Sequence, residues 1–369
     1  MRILLVTGTY PPSVNGVAYH VQLLKNALER SGHQVLVLAP NFPGFVDSEK
    51  GILRYPSLPN PVVKSYPLGV TLVPFGKIKE FRPQVIHTHH PFFVGRFAAG
   101  LAQKLSVPLF FTAHTQYHLY LNYYFPQGYA LISKVLSRDL RDLAKNCYTV
   151  ICPSPQTKER LAGFGITNTK VIFNGIETNL FSPPERKFVS RPTFVYTGRI
   201  EKEKNPLFLI KLAIYLKKRL PRFRLYIAGS GNFLPKMAKE VEKFQLRENV
   251  QLLGDVPRQL LPHLYAQAHL FVTPSSSEVM PLSILEALSC GLPVVGLAGS
   301  RLESIVLEGK TGFLLPANPR VIGDKIITLF NRPDSLRFLS RETRRLSAQF
   351  SIESTARQVS DLYRTSLKI

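Results

Sequence analysis

The sequence predicts an α/β protein built from two doubly wound domains. Short apolar runs, beginning with RILLV at 2–6, alternate with Gly- and Pro-containing loops and segments of helical periodicity. That is the order of parallel strands joined by crossover helices. The alternation starts afresh after NGIETNLFSPPERKFVSRP, residues 174–192, which is polar and broken by prolines and so reads as a connection. A chain of 369 residues with 45% hydrophobic content is long enough to give each run its own core.

In order along the chain, RILLV reads as a buried strand and TGTYPPSVNG as the loop after it. An amphipathic helix follows from about Val17 to Ser31, with Val21, Leu24, Ala27 and Leu28 on one face, and Gly32 closes it. QVLVLA is the next strand. VIHTH, a helix near 92–105, PLFFTAH, a helix near 128–146 and YTVICPS continue the first run. TFVYTG, FRLYIAG, NVQLLG, HLFVTPS and LPVVG are the strands of the second, and the tail from about Ser351 is a last amphipathic helix. The first loop lacks GxGxxG, so no dinucleotide cofactor is expected. In open sheets of this kind ligands bind beyond the carboxyl ends of the strands, so the loops that follow strands should hold the chemistry.

Composition bounds the partners. The formal net charge is +23, of which residues 1–185 carry +9 and residues 186–369 carry +14, so no basic tail accounts for it. Such a field favours nucleic acid, an anionic membrane face or phosphate-bearing substrates. No nucleic-acid recognition motif accompanies the charge, and nucleic acid is not an expected partner. Cys147, Cys152 and Cys290 fall in or beside apolar elements and read as buried free thiols of a reducing compartment. The first apolar run is too short for a signal peptide, and no run approaches a membrane span. A cytoplasmic protein with at most peripheral membrane contact is expected.

PSSSEVMPLSILEALSCGLPVVG, residues 274–296, carries the sharpest chemistry. Pro281 reads as the first residue of a helix, where its missing N–H is no loss. From Leu282 to Leu288 that helix is apolar on almost every side and should be buried. Glu286 on it is costly unless something accepts its charge or hydrogen bonds. Vicinal hydroxyls such as those of a ribose would suit it. The N–H groups of Leu282 and Ser283 would lie at the positive end of the helix dipole, a phosphate site. Gly291 then stops the helix.

The pair Glu278 and Glu286, followed by A-L-S-C-G-L-P-V-V, resembles the carboxylate pair of the retaining, nucleotide-sugar-dependent glycosyltransferases of family 4. Those enzymes have the GT-B fold, two Rossmann-like domains facing across a cleft. The resemblance implies that Glu278 lies near the donor sugar and that Glu286 holds the nucleotide ribose. It divides the chain into an acceptor-binding domain at 1–178, a linker at 179–192 and a sugar-nucleotide-binding domain at 193–351. The C-terminal helix at 352–369 returns to the first domain. Pro281 departs from the Gly often found there, which leaves the donor sugar open.

The same resemblance assigns roles in the other loops. Gly16, at a helix entry where a phosphate can approach the backbone closely, would touch the donor diphosphate. Asn15 would lie near the acceptor. In VIHTHHPFFVG, His87 and His89 share one side of a strand. With His114 as the only obvious third ligand they allow a zinc reading. The resemblance instead places His87, His89, His114 and Tyr117 in the acceptor pocket, and counts His114 with the catalytic groups. Arg199 and Lys204 in YTGRIEKEKNP match the cations that neutralise the leaving diphosphate. Gly229 and Gly231 of AGSGN would shape the nucleotide pocket, and Val256 would neighbour the base.

The segment HTQYHLYLNYYFP, with HTHHPFFVG before it, looks most like the transferases that glycosylate diacylglycerol or phosphatidylinositol. Lys134, Arg138, Arg141 and Lys145, spaced four, three and four, form one stripe of the next helix, with Asp139 and Asp142 off it. Such a face can rest on anionic lipid or simply be solvated. The resemblance thus implies retaining, metal-independent hexose transfer from UDP- or GDP-hexose, with no other cofactor. By the same resemblance the expected acceptor is a membrane glycerolipid of the diacylglycerol type, and the expected place of action is the inner face of the cell membrane. A polyprenyl-linked or soluble glycan acceptor is the second reading. A sugar-nucleotide isomerase of the same architecture, which would need an acid/base set in the first domain, is the third.

Overall fold

The computed structural model describes residues 1–58, 68–69, 73–114, 129–182, 191–276 and 278–368. The chain divides into two compact units, one of residues 1–176 with 352–369 and one of residues 177–351.

Unit 1 holds strands β1 (Arg2–Val6), β2 (Gln34–Pro40), β3 (Ile52–Tyr55), the short antiparallel pair β4 (Ser57–Leu58) and β5 (Leu68–Gly69), then β6 (Val85–Thr88), β7 (Leu109–Thr112), β8 (Thr149–Cys152) and β9 (Thr169–Val171). Seven of them form one parallel sheet in the order β3-β2-β1-β6-β7-β8-β9. Alternate residues of β1 point to opposite faces, as the pleat requires. Ile3 and Leu5 enter one core with the Gly16–Arg30 and Ile352–Leu367 helices, and Leu4 and Val6 enter another under the Phe92–Leu105 helix. Both faces are therefore buried, which is why β1 reads as a continuous apolar run. The C-terminal helix belongs to unit 1 by packing. Ile352, Ala356, Val359 and Tyr363 lie in its core, and the Ile352 N–H donates to the Ile176 carbonyl at 2.9 Å.

Unit 2 holds β10 (Thr193–Thr197), β11 (Arg224–Ala228), β12 (Val250–Gly254), β13 (Leu270–Val272), β14 (Val294–Leu297) and β15 (Gly312–Leu315), all parallel, in the order β12-β11-β10-β13-β14-β15. In each sheet the strand order reverses beside its first strand, between β1 and β6 and between β10 and β13. Such a reversal opens a crevice at the carboxyl ends of the two strands.

Three strands of the main sheets, β3, β9 and β15, escape the sequence pattern. Each is three or four residues long and lies at a sheet edge, so each needs few apolar positions. The connection also differs from expectation. Phe181, placed in the linker by sequence, is wholly buried in unit 2, and the Cys290 thiol donates to its carbonyl at 3.3 Å. At the other end Arg191 donates to the carbonyls of Arg222, Phe223 and Glu248. Residues 183–190 between them lie outside the described part. All three cysteines are buried, and burial pushes the Cys147 and Cys152 thiols up to about 12.

Candidate functional site

The switch point of unit 2 gathers the residues singled out by sequence. β10 runs into Gly198, Arg199 and the short Lys202–Lys204 turn, while β13 runs into the segment holding Glu278. Lys204 Nζ donates to Glu278 Oε1 at 2.7 Å, with both side chains mostly buried. Arg199 lies 2.9 Å from Glu203, a carboxylate only 1% exposed that sequence reading did not single out. Tyr196, Gly198, Lys204, Thr273, Glu278, Pro281 and Ser283 line a recess of about 50 Å³ here.

The helix beside the recess is Leu282–Ser289 and starts one residue later than expected. Pro281 is its N-cap, in extended conformation, rather than its first residue; its carbonyl accepts from Ile284 and Leu285. The Leu282 and Ser283 N–H groups therefore precede the first helical hydrogen bonds and lie at the positive end of the dipole. Ser283 itself lines the recess. Gly291 adopts φ +77 after the cap, where a Cβ would also meet Arg344 Nε at 2.7 Å.

Glu286 is 2% exposed and has a partner that sequence reasoning missed. Arg258 donates directly to its Oε1, and the Tyr265 hydroxyl to its Oε2 at 3.3 Å. Burial pushes the Glu286 carboxyl up from its ordinary value, and Arg258 and Tyr265 oppose that rise. Arg258 also stacks 4.7 Å over the Phe181 ring and lies 3.8 Å from Glu177. A one-sided cation in PRQLLP carried no local signal, since only the fold brings it to position 286.

Gly229 and Gly231 are required by close backbone approach. A Cβ at Gly229 would lie 1.9 Å from the Gly198 carbonyl oxygen, and one at Gly231 would lie 2.5 Å from that of Ile200. The two loops are joined there by Gly198 N–H to Ala228 O and Ile200 N–H to Ser230 O. These glycines thus fix the loop that carries Arg199. Val256 is half-buried just beyond β12, the next strand outward.

In unit 1, Asn15 is the N-cap of the Gly16–Arg30 helix. Its Oδ1 accepts from Val17 and Ala18, and its Nδ2 donates to Thr9. Its side chain is committed to the cap, which the acceptor assignment had not foreseen. Gly16 is exposed, with no atom within 4 Å of a would-be Cβ, so packing within unit 1 does not demand a glycine there. His87 departs from the expected role. It is wholly buried, with Nδ1 bonded to the Tyr363 hydroxyl at 2.6 Å and Nε2 to Thr112 at 2.7 Å, which leaves neither nitrogen for an acceptor. Burial holds its imidazole down at about 3. His89 and His114 do meet, Nδ1 to Nε2, at 3.0 Å, and His20 packs edge-on to His114. Tyr117 lies outside the described residues.

Two family profiles match in succession, "Glycosyltransferase Family 4" over residues 14–180 and "Glycosyl transferases group 1" over residues 178–346. The chain is a family 4 glycosyltransferase. It is 27% identical to the alpha-monoglucosyldiacylglycerol synthase of Streptococcus pneumoniae, over 90% of this chain and 79% of that one. It is 24% identical to the synthase of the same name from Acholeplasma laidlawii, over 98% and 96%. Among solved structures, the sucrose-phosphate synthase of Thermosynechococcus elongatus superposes with a TM-score of 0.82 at 21% identity, covering 100% of this chain and 99% of that one. The enzyme has the GT-B fold.

The basic stripe of the enzyme lies on the Tyr129–Asn146 helix, and Lys134, Arg138, Arg141 and Lys145 are all exposed. One expectation fails there. Asp142 does not lie off the stripe: it sits 3.8 Å from Arg138 and 3.6 Å from Lys145, because steps of three and four place it between them. Asp139 does turn away, to Arg96. Among the described residues no helix is long and apolar enough to cross a membrane.

Proposed function

We propose that the enzyme transfers a hexose from UDP- or GDP-hexose to a membrane glycerolipid of the diacylglycerol type, with retention of anomeric configuration. The Lys204–Glu278 pair at the unit 2 switch point, beside the N-terminus of the Leu282–Ser289 helix, carries this reading. The donor diphosphate fits there. Lys204, Arg199 and the Leu282 and Ser283 N–H groups supply preorganised positive potential where charge grows as the diphosphate leaves. Those groups do for the leaving phosphates what a metal ion does elsewhere, so the transfer step itself uses none. Glu286 accepts from the ribose hydroxyls, and Glu278 orients the sugar. The acceptor hydroxyl oxygen attacks the anomeric carbon on the face from which the diphosphate departs, the bond from that carbon to the phosphate oxygen breaks, and an oxygen of the departing diphosphate takes the hydroxyl proton. No protein nucleophile is required.

A solved relative, HepE of Anabaena, binds UDP-glucose, which supports a nucleotide-hexose donor. Two relatives named as alpha-monoglucosyldiacylglycerol synthases support the lipid acceptor. The test offers a panel of labelled sugar nucleotides to lipid extracts and separates the products by polarity. Label in a glycolipid from one donor supports the reading. Label only in free sugar or in a water-soluble glycan refutes it.

A further inference from the structure

Glu286 lies in the second turn of the Leu282–Ser289 helix, between Leu285 and Ala287, both wholly buried. A carboxyl among such neighbours favours its neutral form, and burial does raise Glu286. A neutral carboxyl is a poor acceptor for two vicinal hydroxyls, since one of its oxygens then carries a proton. Arg258 is the first of the groups that oppose the rise and Tyr265 the second, while Glu177 adds to it. Among the described residues Arg258 donates to Oε1 and the Tyr265 hydroxyl to Oε2. A carboxylate has about four acceptor sites, so about two remain, one on each oxygen, which matches a vicinal diol.

Arg258 is fixed by more than its charge. It opens the short Arg258–Leu260 turn just beyond β12. Its guanidinium carbon lies 4.7 Å from the centre of the wholly buried Phe181 ring, and its Nε lies 3.8 Å from a Glu177 oxygen. The Phe181 carbonyl accepts from the Cys290 thiol, and the Cys290 N–H donates to the Glu286 carbonyl at 3.0 Å. The ring under the guanidinium is thereby tied to the helix that carries Glu286, all within unit 2. A planar fork held in this way loses little freedom on bonding a carboxylate, so its direction is set before a ligand arrives.

We propose that Arg258 is a positioning residue for donor recognition: its guanidinium orients the Glu286 carboxylate so that the enzyme selects the 2′,3′-diol of a ribose. This rests on the ribose role given to Glu286 above. Arg258 does not itself need to touch the nucleotide. It acts through the carboxylate that does, and it keeps the two remaining acceptor sites of Glu286 ionised and aimed.

The test compares UDP and GDP with their 2′,3′-dideoxy forms by calorimetry on full-length enzyme at neutral pH. The ratio of the two affinities reads the diol alone. Wild type should prefer the ribose form, and Glu286→Gln should lose most of that preference. Arg258→Met should lower the preference by about tenfold or more, the worth of a hydrogen bond to a charged group, and leave dideoxy affinity nearly unchanged. Arg258→Lys, which keeps the charge but neither the planar fork nor the stack, should fall between Arg258→Met and wild type. In a Glu286→Gln background Arg258→Met should have no further effect on the preference. An arginine that only supports the fold would weaken both forms alike. Arg258→Met or Arg258→Lys with the wild-type preference overturns the proposal and leaves the role of Glu286 standing. A Glu286→Gln enzyme that keeps the preference refutes that role, and the proposal with it. Dideoxy binding also reports the fold of each variant, and Arg258→Lys decides the matter if Arg258→Met does not fold.

Discussion

Lys204 and Glu278 meet across the switch point of the second sheet, nitrogen to oxygen at 2.7 Å, although 74 positions separate them in the chain. Lys204 therefore has two tasks in the proposed reaction. It supplies a cation to the diphosphate, and it neutralises a carboxylate that would otherwise repel it.

The first prediction follows. Lys204→Ala and Arg199→Ala should each lower turnover by about 100–1000-fold, the loss expected for one preorganised stabiliser. In Lys204→Ala the exposed charge of Glu278 should also weaken nucleoside-diphosphate binding, and adding Glu278→Gln should restore part of that affinity. A double-mutant cycle by calorimetry measures the coupling. Strictly additive losses would show that the pair has no bearing on the donor.

Glu286 and Glu278 should separate in their effects. Glu286→Gln should reduce affinity for the bare nucleoside diphosphate, whereas Glu278→Gln should reduce transfer more than it reduces that affinity. Equal loss of nucleotide affinity in both variants contradicts the division of roles.

Acidification should act through Glu286. Its carboxyl is raised by burial, so on lowering the pH it takes up a proton above the ordinary glutamate range. A protonated carboxyl is a poorer acceptor for ribose hydroxyls, so nucleotide affinity should fall as pH drops through that raised value. Glu286→Gln cannot titrate and should flatten the profile. An unchanged pH dependence in the variant assigns the effect to another group.

Glycine substitutions should divide by position. Gly229→Ala places a methyl 1.9 Å from a carbonyl oxygen at φ +139, so it should destabilise unit 2 by about 1–3 kcal/mol and displace the Arg199 loop. Gly16→Ala meets no atom within 4 Å and replaces a glycine in a helix, so stability should hold or rise by up to about 1 kcal/mol. Its turnover should nonetheless fall, because the methyl crowds an anion approaching the helix entry. Chemical denaturation with parallel rate measurements checks both, and a Gly16→Ala enzyme of full activity removes Gly16 from the site.

The proposed membrane contact makes a signed prediction. Each basic residue near an anionic leaflet contributes on the order of 1 kcal/mol. Replacing Lys134, Arg138, Arg141 and Lys145 by Gln should therefore release the enzyme from anionic vesicles. Asp142 lies against two of the four, so Asp142→Asn should strengthen the same binding. Co-sedimentation at low and high salt reads both changes, and wild-type enzyme that stays in the supernatant at low salt argues for a soluble glycan acceptor.

The sequence by itself determined most of the elements and singled out most residues of the candidate site. Alternating apolar runs and amphipathic segments follow from local periodicity, so the Phe92–Leu105 helix and strand β1 were legible directly. The glutamate pair, the two cations and the glycines stood out because their neighbours in the chain frame them. What the tertiary structure decided is which side chains face one another. Arg258 reaches Glu286, Tyr363 takes His87 and His20 joins His114 only because strand order and helix packing bring distant loops together. Local pattern does not encode strand order, since a parallel strand pairs with whichever neighbour its crossover allows. Burial then assigned the final roles: Asn15 was committed to a helix cap and His87 to the core, two uses that no spacing of residues announces.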